Sequence, residues 1–199
     1  MTEYHLRTPL TESAVRKLSV SDVVYLSGLV YTARDEAHIH ILDELRKGHR
    51  IRIPLEGAVV YHCGPIVKKV DSSLKVVAAG PTTSSRMNTL EPEFLEKTHV
   101  RAIIGKGGMS KPVIDAMQKF GAVYFAFTGG AAVLAADAIS EVKGVYLEDL
   151  GMPEAVWVLE TNHLGPLIVG IDAKGQSLFA EVDEQVKRNL LEVKRKLGI

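Results

Sequence analysis

What most constrains this chain is a rhythm. Short apolar runs break into tips rich in glycine, hydroxyl and basic residues, and stretches of helical period follow. "DVVYLSGLVYTAR" leads into "DEAHIHILDELRKG", "VRAIIGKGG" into "VIDAMQKFG", and "AVYFAFTGG" into "AAVLAADAIS". Strand-length runs alternating with amphipathic segments are the pattern of an α/β fold. The first helical segment is the best marked, with Ala37, Ile41, Leu42 and Leu45 on one face. Asp35 and Glu36 open it, Arg46 and Lys47 close it and Gly48 follows, as the helix dipole and a left-handed cap favour. Ser110 and Pro112 mark the start of the second. "GAVVYHCGPIVKKV" reads as a strand pair, "LKVVAAG" as a buried strand, and "AVWVLE" with "GPLIVGID" as late antiparallel strands. A terminal helix is expected over roughly 181–197, with Val182, Val186, Leu190, Val193 and Leu197 turned inward. Neither an internal repeat nor a shift in composition divides the chain, so one domain is expected over residues 1–199.

Composition narrows the function classes. Hydrophobic residues at 46% and charged residues at 24% describe an ordinary globular chain and exclude disorder. A net charge of zero gives no general footprint for nucleic acid or an anionic membrane. The single cysteine, Cys63, excludes a disulfide framework and a self-contained cysteine-held metal or iron–sulfur site. Cys63 itself, next to Gly64 and Pro65, reads as a small hydrophobe near a turn. No apolar run reaches the ~18 residues of a membrane helix, and the N-terminus lacks a signal-peptide pattern, so a soluble cytoplasmic protein is expected.

Four tips follow apolar runs, at residues 33–38, 80–86, 105–108 and 128–130. In open α/β sheets ligands bind at the carboxyl ends of the strands, where glycines admit an anion to backbone amides. These tips bring Arg34, Arg86 and Lys106 into an otherwise neutral chain, which points to a small anion, one with two negative ends fitting best. Thr82 and Arg86 are four apart and share a side if a helix begins near Thr82, the guanidinium gripping a carboxylate and the hydroxyl standing beside it. The plainer alternative is that Thr82, Thr83, Ser84 and Ser85 cap a helix, although four hydroxyls exceed what one cap requires. "GKGG" alone is an ordinary glycine turn, Asp35 and Glu36 serve the helix dipole, and "TGGAA" marks close packing. The histidines are scattered without metal-ligand spacing, so no metal site is expected on this chain.

The ordered set "ARDEAH", "GPTTSSRM" and "IGKGGM", continued by "FTGGAA", "LEDLGMPEAVWVLE" and "GPLIVGIDAKGQSLF", resembles the beta subunit, or C-terminal domain, of class I fumarate hydratases and L-tartrate dehydratases. The resemblance covers nearly the whole chain. It implies a swivelling β/β/α domain with a mixed sheet, and an alpha-subunit partner whose cysteines hold a [4Fe–4S] cluster. It also implies that Arg34, Thr82, Thr83, Arg86 and Lys106 bind a dicarboxylate, and that Thr82, Arg86 and Lys106 are catalytic, Thr82 moving the proton on carbon. The implied activity is reversible hydration of fumarate to L-malate, with L-tartrate dehydration as the alternative, in a hetero-oligomer whose isolated beta chain self-associates. Two other classes remain beside it. A phosphate-binding module would need a longer phosphate loop or a carboxylate pair for Mg²⁺, and a non-catalytic scaffold would have no use for the three matched cations.

Overall fold

A computed structural model describes residues 1–71 and 73–198, apart from the side chain at position 191. The elements in chain order are β1 (Glu3–Arg7), α1 (Glu12–Val15), β2 (Val23–Thr32), α2 (Asp35–Arg46), β3 (Val59–Tyr61), β4 (Ile66–Val70) and β5 (Ser73–Ala78). A 3₁₀ turn (Ser84–Met87), α3 (Glu91–Thr98), β6 (Ala102–Gly105), α4 (Lys111–Phe120), β7 (Val123–Ala126), α5 (Ala132–Asp137) and β8 (Ile139–Tyr146) follow. A second 3₁₀ turn (Glu148–Leu150), β9 (Val156–Ile171) and α6 (Leu178–Leu197) end the chain. The expected α/β class with a mixed sheet and helices is what forms.

The main sheet runs β1-β2-β3-β6-β7-β9-β8, and the long β9 returns to pair with β2, so that β2, β3, β6, β7 and β9 close into a ring. β1 through β7 in this order pair in parallel, while β9 runs antiparallel to β2, β7 and β8. Parallel strands point their carboxyl ends the same way, which fixes where the tips gather. Side chains alternate between two cores, as a period of two requires. Val59, Tyr61, Ala102, Ile104, Val123 and Phe125 enter one, with Val67 and Val76 of the β4–β5 hairpin. Val60, Ile103 and Tyr124 enter the other, against Ile41, Leu42, Phe94, Leu95, Val113 and Met117 of α2, α3 and α4. Hairpin, closed sheet and helices thus form β/β/α layers.

Four expectations are corrected. β3 and β4 do not pair with each other, because β4 leaves the main sheet and pairs with β5 in a separate hairpin. "LKVVAAG" is not a buried strand: in β5 Val76 is buried, while Leu74 and Val77 are 43% and 40% exposed. The two late runs are one 16-residue strand, β9. The stripe of α6 does not turn inward, since Val182, Val186, Leu190, Val193 and Leu197 all face outward. Sequence reading also passed over β1, α1 and β8. No helix is long and apolar enough to cross a membrane among the described residues.

Candidate active site

The four tips meet where the parallel strands end. β2 runs into Ala33, whose N–H donates to Tyr61 O at 3.0 Å, and Arg34 then caps α2. The stretch 80–86 lies across the ends of two neighbouring strands instead of extending one of its own. Thr82 N–H donates to His62 O (2.7 Å) just beyond β3, and Cys63 bridges Pro81. Thr83 bridges Lys106 in parallel, and Ser84 N–H donates to Lys106 O at 3.1 Å just beyond β6. Phe127 N–H donates to Gly105 O (2.8 Å), which brings the 128–130 tip alongside. Four sequence-distant tips therefore share one end of the sheet.

The expectation that Thr82 and Arg86 share the first turn of an α-helix is not met. A 3₁₀ turn begins at Ser84, and its cap residue Thr83 makes no side-chain capping bond; α3 starts only at Glu91. Ser84 is buried because its hydroxyl has an inward task, while Thr82 is half-buried and Thr83 exposed. Gly105 makes room for this, since a Cβ there would lie 1.8 Å from Ser84 Oγ and 3.1 Å from the Tyr124 hydroxyl.

The three cations differ in their company. Arg86, half exposed, forks onto Asp35, with Nε–Oδ1 at 3.1 Å and Nη2–Oδ2 at 3.0 Å. Arg34 Nε lies 3.2 Å from Glu154 Oε1, both side chains being mostly enclosed. Lys106 reaches no carboxylate among the described residues, and its Cδ and Nζ lie over Gly129, 3.3 and 3.5 Å from where a Cβ would stand. Asp35 is thus more than a helix-dipole charge, because it is the counter-ion of Arg86. Arg34 Nε and Asp35 Oδ2 are enclosed without an aligned hydrogen bond. The Arg34–Glu154 contact lacks an aligned hydrogen bond and the Arg86–Asp35 fork is half open to solvent, so each guanidinium remains able to exchange its carboxylate for another.

Behind the tips lies a group that sequence reading missed. His38, His62 and Glu91 are each fully buried. His38 Nδ1 donates to the Arg34 carbonyl at 2.7 Å, so its Nε2, 3.5 Å from Glu91 Oε2, satisfies a carboxylate only when that nitrogen is also protonated. His62 Nε2 is 3.2 Å from the same oxygen, and its Nδ1 lies 3.0 Å from Ser84 Oγ, to which the Tyr124 hydroxyl donates at 3.1 Å. The ring-to-carboxylate contacts are short, and hydrogen bonding and charge from both rings act on the carboxylate together. Burial by itself raises the Glu91 pKa, yet the two imidazoles outweigh it and hold the carboxyl at about 2. For His38 burial pulls down, but Glu91 prevails and the pKa is raised. For His62 burial prevails and the pKa is lowered. One imidazolium, one neutral imidazole and one carboxylate account for the group.

These donor atoms lie within 4.8 Å of one another, close enough for a cation. A structural zinc takes four ligands, whereas three protein donors converge here among the described residues, all sealed from solvent. The charge pair is the simpler account of them. Its geometry couples three tips: His38 fixes the Arg34 carbonyl, His62 carries Thr82 on its own carbonyl, and Ser84 joins His62 to Lys106.

A [4Fe–4S] cluster does not fit this chain. Cys63 is its one cysteine, fully buried, with burial pushing the thiol up to about 12 against a weaker opposing pull from Arg34. A cluster needs several thiolates. A cavity of about 740 Å³ lined by Leu45, Arg50 and His99 lies elsewhere and includes none of the tip residues.

The profile of a family described as "Fumarase C-terminus" matches residues 1–182. The chain is 48% identical over 185 residues, 92% of its length and 95% of the relative's, to a protein of Methanocaldococcus jannaschii named putative L(+)-tartrate dehydratase subunit beta. It is 42% identical over 176 residues, 88% of its length and 86% of the relative's, to the L(+)-tartrate dehydratase subunit beta of Escherichia coli K12. It is 37% identical over 190 residues to a putative class I fumarate hydratase of Geobacillus stearothermophilus, covering 95% of this chain and 36% of that one. All three names denote hydro-lyases. With its tips gathered at one end of a closed sheet and its sequence matched over almost its whole length, this chain belongs to the fumarase C-terminus family.

Proposed function

We propose that the chain is the beta subunit of a class I fumarate hydratase, supplying the cationic half of a dicarboxylate site for reversible hydration of fumarate to L-malate. The observation that carries this reading is the gathering of Arg34, Arg86 and Lys106, with Thr82 and Thr83, on tips seated together at the ends of β2, β3 and β6. A doubly negative substrate needs two cationic ends, and guanidinium forks suit carboxylates. Asp35 and Glu154 pair with two of these cations, Arg86 and Arg34. A dicarboxylate displaces those contacts, and Lys106 provides the third charge. Thr82 then moves the proton on carbon. A threonine hydroxyl is a poor base in water, so this role requires the cations to favour its anion in a drained site. The same cations offset the charge that develops on the carboxylate beside the carbanion.

The cluster, on this reading, belongs to an alpha subunit that completes the site from the other side in a hetero-oligomer of the cytoplasm. The steps assigned here are those of this chain's own residues. A second reading, L-tartrate dehydration, is favoured by the names of the relatives at 48% and 42% identity. L-malate and L-tartrate differ by a hydroxyl, and a site that hydrogen-bonds such a group rejects the analogue lacking it by roughly 10⁴–10⁵-fold. The test is anaerobic assembly with a cysteine-bearing alpha chain and comparison of kcat/KM for L-malate with that for L-tartrate. Preference for malate supports the first reading, preference for tartrate replaces it with the second, and turnover of neither removes both.

A further inference from the structure

The apolar stripe of α6 has nothing against it. Ser177 caps the helix, its hydroxyl accepting from Ala180 N–H at 3.3 Å, and Phe179 packs over Gly108, Gly170 and Tyr124 to anchor the first turn. From position 180 to 198 every residue whose side chain is described is exposed, so ~27 Å of helix runs clear of the layered body. Along it Val182, Val186, Leu190, Val193 and Leu197 recur at helical spacing and are 53%, 56%, 51%, 49% and 67% exposed. Helices in proteins draw most of their stability from packing of an apolar face, and a contiguous apolar stripe marks a contact surface.

The charges indicate what covers it. Glu181, Asp183 and Glu184 lie near the start of the helix, and Lys194, Arg195 and Lys196 near its end. At about 100° per residue, Asp183 and Lys194 fall on one flank of the stripe and Lys196 on the other, while Glu181 and Glu184 turn toward the far face. A second copy laid antiparallel therefore sets Asp183 beside Lys194 along that flank and the acidic start of one helix beside the basic end of the other, whereas a parallel copy sets like beside like. Lys196 and Glu184 also pair within the helix, with Glu192 and Lys187, but such exposed pairs exchange at little cost.

We infer that the chain pairs with a second copy of itself through α6, the two helices running antiparallel with their apolar stripes in contact. This does not depend on which substrate the enzyme takes. A seam of ~27 Å is at the small end of specific interfaces, so the dimer dissociates on dilution into the micromolar range.

Sedimentation of the full chain between about 1 and 200 μM is the test. The wild type is expected to pass from monomer to dimer, and Val186→Glu/Leu190→Glu to remain monomeric with the melting of the body unchanged. Orientation is read separately by oxidation: Asn189→Cys, near the middle of the stripe, is expected to cross-link two chains, and Val182→Cys, in the stripe at its far end, is not. The inference is overturned by a wild type that stays monomeric throughout, by a dimer that survives the double substitution, or by equal cross-linking at both positions. It is also overturned if the stripe becomes protected only when an alpha chain is added.

Discussion

Replacing Glu91 probes the buried link between the tips. Its carboxyl is held at about 2 instead of the ordinary 4.5, and at ~1.4 kcal/mol per pH unit this is worth about 3 kcal/mol of stability. Removing one member of a buried charge pair costs about 3–5 kcal/mol, so the two routes agree. Glu91→Ala is expected to lose that much, roughly 10 °C in Tm for a domain of this size. Glu91→Gln removes the charge but keeps partners, because its amide N–H₂ donates to a neutral His38 Nε2 and its carbonyl accepts from His62 Nε2–H; its loss is smaller. The pH dependence separates the two terms. Because Glu91 is lowered, its contribution is present above about pH 4.5 and is lost as pH falls toward 2. Because His38 is raised above 6.5, its contribution is complete below that value and is lost as pH rises through its folded pKa. His62, being lowered, acts in the opposite sense and loses stability as pH falls below 6.5. Urea unfolding of wild type and Glu91→Gln from about pH 6 to about pH 9 isolates the His38 contribution, and the gap between them is expected to close as pH rises. A gap that stays constant over that range, or an alanine variant within about 1 kcal/mol of wild type, refutes the charge-pair account.

Two further outcomes follow from the packing. Gly105→Ala drives a Cβ to 1.8 Å from Ser84 Oγ and is expected to cost about 1–3 kcal/mol in urea unfolding; adding Ser84→Ala should recover part of it, so strictly additive losses contradict the packing argument. Cys63→Ala, at a buried thiol held protonated, is expected to cost about 1 kcal/mol of stability and to leave the iron content of an assembled complex unchanged, whereas a loss of iron would make Cys63 a ligand.

The sequence made legible whatever is local. α2 announced itself because Asp35, Arg46 and Gly48 mark its ends and Ile41 and Leu42 its face, and the glycine tips because Gly105 and Gly129 follow apolar runs. What it hid depends on contacts between distant positions. His38, His62 and Glu91 are unremarkable singly, and only the seating of 80–86 across β3 and β6 makes them neighbours. Asp35 looked like a helix-dipole charge because nothing in "ARDEAH" reveals that Arg86 will reach it. The stripe of α6 reads as inward because periodicity identifies the apolar face of a helix but not whether the surface it meets belongs to the same chain. β5 departs from its expectation for a related reason: "LKVV" is apolar enough for a core strand, yet half of a two-stranded hairpin leaves one face open.

The central claim is that cations on separate tips of this chain hold a dicarboxylate whose turnover needs a second polypeptide. Its most direct test is steady-state turnover of L-malate by the anaerobically assembled complex carrying wild-type, Arg86→Ala or Lys106→Met chains. The account predicts kcat/KM lower by at least ~10²-fold for each variant, with assembly and iron content unaltered. Near-normal turnover by either variant in an intact complex would contradict it.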